Sequence, residues 1–123
     1  MRVNEINTWT ACQMAEAMKQ GDVSAQEVTQ SCLNRIAERE DSVKAWAFFD
    51  PNLAIEQART CDKQRAAGNS LGLLHGLPVG LKDIIDTADM PTENGSDHFK
   101  GRRPTRDATS AALLRAAGAV ILG

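Results

Sequence analysis

Leu74-His75-Gly76-Leu77-Pro78-Val79-Gly80-Leu81-Lys82-Asp83-Ile84-Ile85-Asp86 is the stretch on which the reading of this chain turns. It sets one lysine at the end of a short apolar run, just after two glycines and a proline. Burying an ammonium is costly, so lysines normally decorate solvated faces. Here the neighbours are Val79, Leu81, Ile84 and Ile85, in a region over 77–85 that reads as a buried strand. A lysine so placed either snorkels out of the core or is held there for its chemistry.

Upstream, Thr10-Ala11-Cys12-Gln13 and Ser24-Ala25-Gln26-Glu27 are capping boxes, each opening a helix. The first carries Ala11, Met14, Ala15 and Met18 at helical spacing and stops near Gly21. The second carries Ala25, Val28, Cys32, Leu33 and Ile36 and runs to about Glu40. Val43 to Phe49, apolar and aromatic between acidic ends, predicts a strand. Pro51 then opens a third helix with Ala54, Ala58 and Cys61 on one stripe, fraying toward Gly68. Downstream, residues 86–104 are dense in Gly, Pro, Asn and Asp, as in an irregular functional loop. Asp107 is placed to cap a fourth helix ending at Gly118, and Ala119 to Leu122 starts a further strand. Two strands separated by that helix predict a β-α-β unit with parallel pairing.

The chain has 123 residues, enough for one compact domain, with 42% hydrophobic and 24% charged residues as a globular protein needs. A formal net charge of −2 gives no footprint for nucleic acid or an anionic membrane. Lys100, Arg102, Arg103 and Arg106 are interrupted by Gly101 and Pro104 and read as a solvated loop. Three widely spaced cysteines and no signal peptide at the start point to the reducing cytoplasm. No apolar run reaches membrane-spanning length.

The common catalytic patterns are missing. His75 and His98 lie far apart, with no C-x-x-C or H-E-x-x-H, so neither a metal nor a cofactor is expected. Gly80-Leu81-Lys82-Asp83 lacks the G-K-[ST] of a phosphate loop, and no G-x-S-x-G marks a serine nucleophile. Lys82 remains. In the bland reading it ends a strand and pairs with Asp83 or Asp86, contributing little. As a base it must be neutral at working pH, so its reference pKa of about 10.4 must fall by roughly three units, a cost of about 4 kcal/mol. Asp83 would then have to point away, as side chains adjacent on a strand do.

The block Gly76 to Asp83, followed in order by Asp86, Pro91-Thr92, Gly95-Ser96, Asp107-Ala108 and Gly118 to Gly123, resembles the N-terminal part of amidase signature enzymes. The likeness runs from about residue 74 to Gly123, and more loosely through the helices before it. It implies an α/β fold, a mixed sheet flanked by helices, with residues 1–123 forming the N-terminal part of a single domain. Residues 1–70 would be its helical region with one strand. Residues 71–123 would be the lysine-bearing strand, a loop, a helix and the start of the next strand.

The resemblance also implies the chemistry. Such enzymes hydrolyse carboxamides through a Ser–cis-Ser–Lys triad without metal or cofactor, and only the lysine carries over, as Lys82. Both serines belong to a Gly/Ser-rich segment beyond Gly123, so these residues alone are expected to be inactive. Asp83 would support the site by bonding backbone around the lysine, while Gly95 and Ser96 would lie near it. The partners implied are a small amide substrate and the remainder of the chain or a complementing subunit, with room for a homo-oligomer. The apolar strand at the end predicts an open sheet edge that further chain or a partner covers. Two rivals share these residues: the amidase-type component of a glutamine-dependent amidotransferase, and a non-enzymatic α/β module in which Lys82 is dispensable.

Overall fold

A computed structural model describes residues 3–123. After a 3-10 turn at Val3–Thr8 come three helices, α1 (Ala11–Gln20), α2 (Ala25–Val43) and α3 (Pro51–Ala66). A two-residue strand β1 (Pro78–Val79), helix α4 (Thr109–Ala116) and strand β2 (Val120–Ile121) follow. Both capping boxes form. Thr10 Oγ1 accepts from Gln13 N while Gln13 Oε1 accepts from Thr10 N, and Ser24 and Glu27 do the same. Asp50 caps α3, with Pro51 in its first turn. Asp62 of α3 accepts the N–H groups of Ala25 and Gln26 at 2.7 and 3.1 Å, so its carboxylate meets the positive end of α2.

The strands pair in parallel, Pro78 with Val120 and Val79 with Ile121, as the β-α-β reading expects. The ladder continues beyond them: Val120 N–H donates to Leu77 O, Leu122 N–H to Val79 O, and Leu81 N–H to Gly123 O at 2.9 Å. Leu77 and Val79 turn their carbonyls to β2, so the missing N–H of Pro78 falls on the opposite edge and costs the ladder nothing. Val120 and Ile121 are fully buried, in a core that includes Met18, Val28, Ala54, Ala58 and Leu122. Small residues at 54 and 58 let α3 lie close to β2.

Four expectations need correcting. Helix α2 runs to Val43, stopped by Lys44 in the left-handed conformation (φ 52°), and 44–50 forms no strand. The edge of β2 that such a strand could have joined is occupied at Ile121. The Gln57 carboxamide accepts Ile121 N–H at 2.9 Å and donates to Ile121 O at 2.9 Å. That same bridge closes, at this residue, the edge expected to be open. The lysine-bearing strand is also shorter than 77–85: residues 82–85 turn, with Ile85 N–H donating to Lys82 O. Asp107 does not cap α4. The cap position is Ala108 without a side-chain bond, while Asp107 accepts from Ala88 N and Arg115 Nε. The sheet described is a two-stranded parallel one.

His75 is buried in the turn before β1, and its Nε2 finds no hydrogen-bond partner among the described residues. Gly76 beside it has φ 72°, and a methyl there would meet Met18 Sδ at 2.6 Å, so glycine is needed for conformation and space.

Two outcomes follow from this packing. Gln57→Ala leaves both buried polar groups of Ile121 unpaired, at about 1–3 kcal/mol each. A fall of about 2–4 kcal/mol in unfolding free energy is expected, read from the urea midpoint at unchanged slope. Gln57→Glu, which still accepts but cannot donate, should fall between; an unmoved midpoint for Gln57→Ala would show the bridge to be idle. Burial pushes the His75 imidazole below its usual value of 6.5, opposed by the Asp62 carboxylate and reinforced by the Arg65 guanidinium. The unfolded chain therefore takes up this proton first as pH falls, so the His75 contribution is complete above about 6.5 and declines below it. His75→Leu should flatten the dependence of Tm on pH between about 7 and 5; an unaltered slope would assign it to other groups.

Candidate active site

Lys82 stands just past the carboxyl end of β1, the end at which open α/β sheets bind their ligands. Among the described residues Lys82 is exposed, where the chain turns immediately after Leu81. Ile84, two residues on, is 56% exposed for the same reason. Lys82 lines a cleft of about 390 Å³ together with Trp46, Phe48, Leu81, Thr87 and Met90. Thr87 and Met90 are buried in its floor.

Neither neighbouring carboxylate pairs with the lysine. Asp83 Oδ1 accepts Glu93 N–H at 3.0 Å and its carbonyl accepts Asn94 N–H at 2.8 Å, fastening the turn to the loop. Asp86 takes both terminal nitrogens of Arg102, at 2.7 and 3.0 Å. Hydrogen bonding from Arg102 holds the Asp86 carboxyl below the usual carboxylate range. Lys82 Nζ is in no hydrogen bond or ion pair among the described residues. The bland pairing with Asp83 or Asp86 is therefore absent.

The loop over 86–104 is irregular but cross-linked. Thr92, fully buried, donates its N–H to Arg102 O; Ala108 N–H reaches Asp86 O; Glu93 accepts from Gly101 N–H. Gly95, at φ 63°, and Ser96 form an exposed turn at the loop's tip. Ser96 Oγ accepts His98 N–H and caps the 3-10 turn Asp97–Phe99. Both residues adjoin Asn94, which Asp83 holds, but neither enters the lining of the cleft. Sequence reasoning does not single out Trp46, Phe48, Thr87 or Met90 as site residues. The aromatic run 46–49 is the available signal, and on composition alone it reads as strand. No group of three His, Cys, Asp or Glu side chains among the described residues is placed to hold a metal.

The Amidase family model matches residues 27–123. AmiD of Mycobacterium tuberculosis, an amidase by assignment, is 42% identical over 111 residues, which is 90% of this chain and 23% of AmiD. A glutamyl-tRNA(Gln) amidotransferase subunit from Salinispora arenicola is 41% identical over 121 residues, 98% of this chain and 25% of that protein. The solved peptide amidase of Stenotrophomonas maltophilia superposes with a TM-score of 0.85 at 36% identity, covering 92% of this chain and 23% of the enzyme. The chain thus spans about a quarter of the length of the curated relatives it matches.

The latch between Asp86 and Arg102 can be tested directly. Arg102→Ala should speed tryptic cleavage within 93–106 several-fold while Tm hardly moves, since exposed ion pairs contribute little to global stability. An unchanged digestion rate would mean the backbone bonds alone order the loop.

Proposed function

The chain belongs to the amidase family, and from that membership we propose that it supplies the proton-accepting lysine of a carboxamide hydrolase. The observation that carries this reading is Lys82 itself: an unpaired lysine at the carboxyl end of a parallel strand, in a cleft, with both adjacent carboxylates engaged elsewhere. In this reading the nucleophilic serine and the bridging serine come from residues outside 1–123, within one amidase domain whose sheet they help complete as a mixed sheet flanked by helices. The nucleophile's proton passes through the bridging serine to neutral Lys82 Nζ. Its Oγ adds to the amide carbonyl carbon, the C–N bond breaks as the proton is returned to the departing nitrogen, and water releases the acid from the acyl-enzyme. Asp83 would support the site by holding 93–94 against the lysine's turn, with Gly95 and Ser96 beside that contact.

A second reading rests on the amidotransferase relative, which matches nearly the whole chain. There the same hydrolysis acts on glutamine, and the ammonia is handed to a partner protein. Glutaminase activity that appears only with partner proteins present would decide for it. Both readings place the protein in the cytoplasm.

In the protein as purified, an intact mass well above 13.3 kDa is expected. Lys82→Ala should lower kcat/KM for amide hydrolysis by about 10²- to 10⁴-fold, with circular dichroism unchanged because an exposed side chain is removed. Full activity in that variant would overturn the lysine as proton acceptor, and an absence of amide hydrolysis in the parent protein would favour the non-enzymatic module.

A further inference from the structure

Trp46 lies across the carboxyl ends of both strands. It stands on the irregular segment 44–50, where its N–H donates to Glu40 Oε1 at 3.0 Å. Its ring rests on backbone that carries no side chain. A methyl on Gly80 would come within 3.0 Å of Cη2, and one on Gly123 within 2.8 Å of Cε3. Gly80 directly follows β1, and Gly123 lies two residues beyond β2. Gly123 O in turn accepts the N–H of Leu81, the residue after Gly80. Phe49 packs against the indole with ring centroids 5.7 Å apart. Lys82 is the next residue after Leu81 and shares the cleft with Trp46.

We propose that Trp46 is a positioning residue for Lys82: seated on Gly80 and Gly123, its indole fixes the Leu81–Gly123 rung and so the direction in which the lysine leaves β1. The proposal rests on the reading of Lys82 as the proton acceptor. A lysine side chain has many rotamers, and only its backbone can be fixed by packing. Here the next residues turn, so the Leu81 N–H to Gly123 O rung on one side and the Ile85 N–H to Lys82 O bond on the other fix the backbone of Lys82. A flat ring over that rung keeps water from it, which strengthens the bond. The two glycines are what let the ring come so close. Displacing a catalytic group by 1 Å can cost about 100-fold in rate, so such a clamp has a measurable effect.

The test uses the active enzyme that carries these residues. Trp46→Ala should lower kcat about 10- to 100-fold while KM changes by less than about threefold. The pH–rate limb that Lys82→Ala abolishes should shift in Trp46→Ala. Trp46→Phe should restore most of the rate, since a ring still covers the rung. Gly80→Ala, which displaces the indole but keeps it, should slow turnover in the same direction; it decides the matter if Trp46→Ala fails to fold. A raised KM at constant kcat would make the ring a wall that substrate touches and would overturn the proposal. So would a kcat within about twofold of the parent in a folded Trp46→Ala or Gly80→Ala protein. Lys82→Ala separates the two levels. If it leaves turnover intact, the lysine reading fails and the clamp with it. If it abolishes turnover while the Trp46 variants run at full rate, the clamp alone fails.

Discussion

Ile121 turns its N–H and C=O away from β1, and the Gln57 carboxamide meets both. A buried peptide group must find partners, and on a two-stranded ladder a third strand would ordinarily supply them. Here one side chain does so from a helix. The substitution has consequences through the fold. It holds α3 at hydrogen-bonding distance from β2, which only the small side chains of Ala54 and Ala58 permit. It also gives Arg115 of α4 a place to anchor, since Arg115 Nη1 donates to Gln57 Oε1 while its other nitrogens reach Asp89 and Asp107. One helix, one strand, the crossover helix and the long loop thus meet in a single polar cluster behind the sheet.

The carboxylates of Asp83, Asp86, Asp89 and Asp107 are all engaged away from Lys82. Asp83 bonds backbone, Asp86 bonds Arg102, and Asp89 and Asp107 bond Arg115. Arginine suits this role because it stays protonated and its planar fork matches a carboxylate at two points. A carboxylate beside a lysine would favour its ammonium form. The carboxylates nearest Lys82 in sequence are instead turned to the loop. The bonds that order the loop are the same bonds that keep anions off the lysine.

What can be read in the sequence is local or topological. The two capping boxes are legible because every partner lies within three residues, and the parallel pairing because a crossover helix leaves little alternative. Asp107 looks like a cap because its true partners, Ala88 and Arg115, lie 19 and 8 residues away and only the fold unites them. Residues 43–49 look like a strand because aromatic composition signals a half-buried surface, which packing against glycine backbone satisfies as well as a ladder does. Ile84 and Ile85 lend the same false weight to a strand that in fact turns. Lys82 stands out through its neighbours in sequence. Its cleft does not, since Trp46 and Met90 stand 36 residues before and 8 after it and meet it only through tertiary packing.

Position and environment are therefore separate properties of Lys82. The ladder, the indole on its glycines and the loop bonds all act on the backbone around the lysine; none of them covers its side chain. What residues 3–123 bring to the reading of Lys82 as a proton acceptor is therefore its position: a turn pinned by Asp83 on one side and a rung from Leu81 on the other.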